Sequence, residues 1–224
     1  MKKMLSWYTG CERGNNIMII GAGASLRKYI TPIKYHIANN NFVTIGINKM
    51  TDFIVPDYHL WTNNQRFRDQ MGCISPSSEL MLGCGLSDYL VSRVATDYIE
   101  IKYKSGKTLS NNFHAGVLYG HYRTAGVLAI AVANLLNGGD GKILVVGMDG
   151  FTLYRFDDLI DKKENHHCYG AGFTDDATYQ ECIVKDKLVL DGLQDLKKSG
   201  VDFNIVTPTK YNEFYDDVLG LQNA

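Results

Sequence analysis

Apolar residues fall along this chain in short unbroken runs, each followed by glycines or asparagines and then by a longer stretch with helical spacing. Ile17-Met18-Ile19-Ile20 passes directly into Gly21-Ala22-Gly23-Ala24-Ser25-Leu26, the pattern of a buried strand turning through glycines into a helix. Thr31-Pro32 offers an N-cap with proline at the first helical position, and the helix should stop in Asn39-Asn40-Asn41, ahead of a strand over 42–47. Further strand-like runs cover 58–61, 79–82 and 98–103, and the polar stretch 104–112 reads as loop. From 124 to 136 the sequence TAGVLAIAVANLL is too long and too rich in alanine for a strand and predicts a buried helix capped by Thr124. A buried strand over 142–147 follows. Cys182, Ile183, Val189, Leu190, Leu193 and Leu196 then recur at helical spacing, with Gly200 as the stop and 203–206 as a last strand.

Such alternation predicts an α/β fold: a doubly wound, mostly parallel sheet with helices on both faces and a ligand crevice beyond the carboxyl ends of the strands. The 224 residues suit one domain over 1–224, with the charged segment 157–165 inside a small lid region at 151–176. Charge is nearly balanced, 23 Lys and Arg against 24 Asp and Glu, which excludes a broad phosphate-neutralising face for nucleic acid and favours a small partner. No stretch approaches the roughly 20 apolar residues of a membrane span, so a cytoplasmic protein without a transmembrane segment is expected. Cys11, Cys73, Cys84, Cys168 and Cys182 are odd in number and form no Cys-x-x-Cys pair, so reduced thiols are expected.

Chemistry should then gather just after strands. The turn from Gly21 through Gly23 to Ser25 joins small residues, a hydroxyl and a helix N-terminus, which can hold a phosphate or can simply be a tight turn. It lacks the third glycine of the dinucleotide fingerprint and the Gly-Lys-Ser/Thr of a P-loop. Asn48 and Asn63 follow strands, and their amides suit a base edge or a ribose hydroxyl; for Asn63 the competing role is a helix cap. Arg66, three residues on, can meet a phosphate in a forked contact. Gly147-Met148-Asp149 ends a buried strand with an acid that binds a sugar hydroxyl or a metal, or caps a turn. His166, His167, Cys168, Asp175 and Asp176 concentrate imidazoles, a thiol and carboxylates in one loop. One histidine there can act as a general base without a cofactor, whereas the spacing matches no standard zinc pattern.

Taken in order, GAGASL, GIN, WTNN, RTAGVLAIAVANLL, VVGMDGF and HCYG resemble the bacterial family 42 sialyltransferases and the wider Rossmann-like group that includes archaeal pterin pyrophosphokinase-like proteins. A looser similarity, over 56–68 and 166–215, is to domains that accompany aldolase-like domains in bacterial surface-polysaccharide pathways. The sialyltransferase resemblance implies a glycosyltransferase using a CMP-activated acidic sugar in surface-glycan biosynthesis, with no cofactor or metal, acting on a glycan or small-molecule acceptor. It allows a homo-oligomer without requiring one. Gly21, Gly23, Ser25, Asn48, Asn63, Thr124, Gly147 and Asp149 would bind the nucleotide, and His167 would be the base. Arg66, Tyr154 and His166 would contact substrate, Tyr154 supplying a hydroxyl. Two positions depart from the family: Ala22 stands for a nucleotide-binding asparagine and Phe151 for a tyrosine that helps the phosphate leave. They leave open a non-catalytic nucleotide-sugar binding module. A metal-dependent pyrophosphokinase or hydrolase is the other alternative, disfavoured because Thr62-Asn63-Asn64-Gln65 lacks the carboxylates of that group.

Overall fold

A computed structural model describes residues 1–94, 97–154, 167–168 and 177–221. Most of the 151–176 region read as a lid, with His166, Asp175 and Asp176, lies outside the described residues. The strands of the main sheet are β1 (Lys2–Met4), β2 (Ile17–Ile20), β3 (Val43–Ile47), β4 (Tyr58–Trp61), β5 (Glu79–Gly83), β6 (Tyr98–Ile101), β10 (Ile143–Val146) and β11 (Phe203–Ile205). They lie side by side in the order β1-β6-β5-β4-β3-β2-β10-β11, with every pairing parallel. A small mixed sheet, β7 (Tyr103–Ser105), β9 (Val117–Gly120) and β8 (Asn112–His114), stands beside it.

The α/β architecture expected from the alternating runs is therefore the observed one, and it is Rossmann-like. The helices are α1 (Ala24–Lys28), α2 (Ile30–Asn40), α3 (Asn64–Gln70), α4 (Asp88–Ser92), α5 (Ala125–Leu136) and α6 (Tyr179–Lys198). Parallel strands need crossovers that cover both faces, so both faces must be apolar. β2 shows this directly: Ile17 and Ile19 pack into the cluster containing α5, while Met18 and Ile20 pack with Leu26 and Ile33 from α1 and α2. A third cluster, Trp61, Phe67, Leu80, Leu82, Leu86 and Leu90, sits under α3 and α4.

Helix α5 is apolar on all sides because it is covered on all sides. Val127 to Ala133 are buried without interruption, and the helix touches β2, β3, β4, β10 and α6. Thr124 is its N-cap, as its position before the apolar run predicts. Helix α2 starts earlier than expected: Tyr29 is its N-cap and Thr31 is already helical. Pro32 is accommodated because amides in the first turn have no intrahelical partner. The helix does end among the asparagines, with Asn41 left-handed at φ 49°. None of the five cysteines forms a disulfide. No helix among the described residues is long and apolar enough to cross a membrane.

From β2 the chain builds outward through β3, β4, β5 and β6, then returns to place β10 and β11 on the other flank of β2. The strand order thus reverses between β2 and β10. Two diverging crossovers leave a crevice at such a point, outside the carboxyl ends of the strands.

Candidate active site at the reversal of strand order

A cavity of about 470 Å³ occupies that crevice, within the usual range for small-molecule sites. Its floor is Gly21, Ala22 and Gly23 after β2 together with Gly147, Asp149 and Gly150 after β10; Asn48, Asn63 and Arg66 come from the β3 and β4 side, Thr124 from the start of α5, and His167 closes over Ala22. The fold therefore brings together nine of the residues singled out by the pattern: Gly21, Gly23, Asn48, Asn63, Thr124, Gly147, Asp149, Arg66 and His167.

Close inspection separates residues that build the floor from residues that face a ligand. The carboxylate of Asp149 accepts the Ser25 amide at 2.9 Å and the Ser25 hydroxyl. Ser25 Oγ also lies 3.1 Å from Thr207 Oγ1, which accepts the Gly147 amide at 3.0 Å. Asp149 thus caps α1 from across the sheet, and this buried network ties the exits of β2, β10 and β11 together. Burial pushes the Asp149 carboxyl up to about 6, opposed by the hydrogen bonds from Ser25 and Ala24. Ser25 is fully buried and does not line the cavity. An anion approaching the start of α1 would meet a carboxylate already seated there.

Glycine at 21 and 23 also has a structural reason. A Cβ at Gly21 would lie 2.5 Å from the Gly147 carbonyl oxygen, and one at Gly23 would lie 2.6 Å from Asp149 Cγ. The longer helix α5 presents a different start: Thr124, Ala125 and Gly126 all line the cavity, so backbone N–H groups and the positive end of a twelve-residue helix border the space where an anion would sit.

Asn48 is the best-positioned amide. Its backbone is left-handed at φ 55°. Its N–H donates to Leu60 O at 3.2 Å and its carbonyl accepts from His59 Nε2 at 2.7 Å. With the backbone pinned to β4 on both counts, the side chain borders the cavity, and its Oδ1 is buried with no hydrogen-bond partner. A buried acceptor without a donor costs about 1–3 kcal/mol, so this atom invites an amine or hydroxyl from a ligand. Asn63 sits at the rim as the N-cap of α3, its side chain accepting the Arg66 amide at 2.9 Å. The capping alternative thus describes its side-chain oxygen.

His59, directly behind Asn48, is fully buried, and desolvation pushes its imidazole down to about 4, with the Asn48 carbonyl opposing. Between that value and the unperturbed 6.5 the unfolded chain binds more protons than the folded one, so acidification through this window destabilises the fold, by up to roughly 3 kcal/mol in all. Asp149 titrates in the opposite sense over nearly the same range, because its raised carboxyl binds a proton in the folded state first. The wild-type stability curve should therefore hide both. The stability advantage of wild type over His59→Phe should shrink by roughly 3 kcal/mol between pH 7 and pH 4 in urea unfolding; parallel curves would show that His59 does not titrate as its burial demands.

His167 is held by backbone as well as side-chain contacts. It forms an isolated antiparallel bridge with Gly23, and the next amide, Cys168 N–H, donates to Ala22 O at 2.9 Å. Its Nδ1 lies 3.3 Å from the same Ala22 carbonyl and its Nε2 lies 3.3 Å from Arg66 Nη2. Cys168 is buried and its thiol is pushed up to about 12 by desolvation, which removes it as a nucleophile. Tyr154 is half-buried and does not line the cavity, whereas Phe151 does, with the Lys185 ammonium 5.6 Å from its ring centre.

Several wall residues escaped the sequence reading: Tyr103, Tyr122, Arg123, Lys185 and Tyr211. Tyr103 and Tyr122 meet edge to face at 6.4 Å, and the Tyr122 hydroxyl is anchored 2.7 Å from both Asn111 Oδ1 and Tyr119 O. Arg123 was visible only as the residue before the α5 cap. Arg66, Arg123 and Lys185 together give the wall three cations against the single capping carboxylate of Asp149, a bias toward an anionic ligand. No three metal-ligating side chains come together among the described residues.

Comparison with protein-family models gives no match to this chain. A search of curated proteins gives none either.

Proposed function

We propose that the cavity binds a nucleotide-activated acidic sugar, with cytidylate as the activating group, and that the protein transfers the sugar to an acceptor hydroxyl in surface-glycan synthesis. One observation carries the reading: an imidazole anchored to a backbone carbonyl presents its other nitrogen to a cation-lined cavity at the reversal of strand order. His167 is the general base that takes the acceptor proton. The negative charge of the donor lies between Arg66, Arg123 and the start of α5, rather than at the turn that Asp149 caps. Asn48 Oδ1 accepts from the nucleoside, and Asn63 borders it at the rim. The cytidine preference and the sugar class are carried over from the sialyltransferase resemblance.

Phe151 favours a second reading in one respect. Its ring stands in the cavity wall where the related enzymes carry a hydroxyl that assists the leaving phosphate, so a module that binds the nucleotide-sugar without turnover shares the same site. The metal-dependent alternative would need His166 and Asp175, which lie outside the described residues, and an Asp149 that is already engaged by Ser25.

Thermal melting with the four nucleoside monophosphates, each with and without magnesium, tests the binding half. Cytidine monophosphate at a hundred times its dissociation constant should stabilise the fold by about 2.7 kcal/mol, a rise in Tm of roughly 5–10 °C for a chain of this size. Equal shifts from all four bases, or none, would remove the proposed donor. Sugar transfer to an added acceptor then separates the enzyme from the binding module.

A further inference from the structure

We propose that Arg66 is a positioning residue for His167: it occupies the basic nitrogen of the imidazole while the cavity lacks an anion, and an arriving anion draws the guanidinium away and uncovers that nitrogen. The inference rests on the reading of His167 as the base and extends it to how the base is controlled.

The argument begins with which groups can donate. A guanidinium carries five N–H donors and no acceptor. Arg66 Nη2 faces His167 Nε2 at 3.3 Å, so Nε2 must offer its lone pair. The ring proton then resides on Nδ1, where the Ala22 carbonyl at 3.3 Å accepts it. The neighbours select one neutral tautomer, and it is the one whose acceptor nitrogen points away from the backbone. The imidazole cannot turn to exchange its nitrogens without losing both contacts, because the Gly23 bridge and the Cys168–Ala22 hydrogen bond fix the backbone on either side of it.

Arg66 is less committed than the ring it touches. It is partly buried, it lines the cavity, and among the described residues no carboxylate pairs with it. One neutral nitrogen satisfies one of its five donors. A phosphate or carboxylate offers charge-assisted bonds, shorter and roughly twice as strong as bonds to a neutral acceptor, and can take two donors at once. Arg66 springs from the first turn of α3, whose start is locked by Asn63, so the exchange requires only a side-chain rotation. Its consequence is an order of events: the lone pair on His167 stays covered until the anionic donor has bound, and becomes available for the acceptor proton afterwards.

Nitrogen NMR on protein labelled with ¹⁵N in its histidine rings reads this without turnover, with the His167 signals identified by their loss in His167→Gln. In wild type the ring should appear as the single neutral tautomer protonated on Nδ1, with the Nε2 resonance displaced upfield by the guanidinium. Titration with inorganic phosphate should move Nε2 downfield, toward a ring nitrogen without a donor. Arg66→Gln should show a downfield Nε2 from the outset and lose the phosphate response. A proton on Nε2 in wild type, an Arg66→Gln spectrum superimposable on wild type, or an undiminished phosphate response in the variant would each overturn the proposal. The wild-type titration stands even if the variant folds poorly. Failure of the donor assignment itself would appear in the melting experiments and leave these spectra unchanged.

Discussion

Replacing His167 by alanine should lower sugar transfer by about 10²–10⁴-fold, the contribution of an ordinary general base, while leaving the Tm rise with cytidine monophosphate in place. The two halves of the outcome come from different atoms. The contacts that hold this segment against the cavity are made by main chain, through the Gly23 bridge and the Cys168 amide, and an alanine keeps them. The cations assigned to the anion, Arg66 and Arg123, stay in the wall. Only the imidazole is lost, and with it the acceptor nitrogen. Single-turnover assays with saturating donor, set beside the melting shift, give the measurement. An unchanged rate would remove His167 from the chemistry. A rate and a shift that fall together would make it a binding group instead.

Gly147→Ala should cost about 3–5 kcal/mol of folding stability, the sum of roughly 1–2 for a side chain in the left-handed region and 1–3 for overpacking. Gly147 has φ 69°, and a Cβ there would sit 2.8 Å from the carbonyl carbon of Gly21 and closer still to its oxygen. Both partners are backbone at the ends of adjacent central strands, held by Gly21 N–H to Val146 O at 2.8 Å and Gly23 N–H to Gly147 O at 2.9 Å, so neither can rotate aside. Gly72→Ala is the control: a Cβ there meets nothing within 4 Å and should shift stability by less than about 0.5 kcal/mol. Chemical denaturation of the two variants decides it. A Gly147→Ala protein within 1 kcal/mol of wild type would mean that the two strand exits are not packed as described. The same contacts explain why these glycines, read along the chain, resemble a phosphate-binding turn: close approach of two backbones and close approach of a backbone to a ligand select the same residue.

How far the sequence reached depended on the range of the interaction involved. Strands such as β2, β4 and β10 were legible because a fully buried parallel strand must be a short apolar run, and α5 because a covered helix must be apolar throughout. The first strand, Lys2–Met4, was not, since three residues with two lysines suit a sheet edge and resemble a tail. The run read as one strand over 98–103 is two, β6 and β7, which part after Ile101 and join different sheets; local alternation carries no information about that separation. Asp149 shows the same limit at the site. Its position after β10 marked it as a crevice acid, with ligand, metal and cap all open. The choice was made by Ser25, 124 residues away in the chain. Arg123, Lys185 and Tyr103 reach the cavity only through the packing of α5, α6 and the small sheet, which no spacing rule anticipates.

Helix α5 spans strands on both sides of the reversal, and its opening residues border the ligand space. To widen that space by shifting the helix would mean prising it off β2, β3, β4 and β10 together, which amounts to melting the protein. The chamber therefore has little give in its scaffold, and its adjustment to an incoming molecule must be made by the long side chains at its mouth.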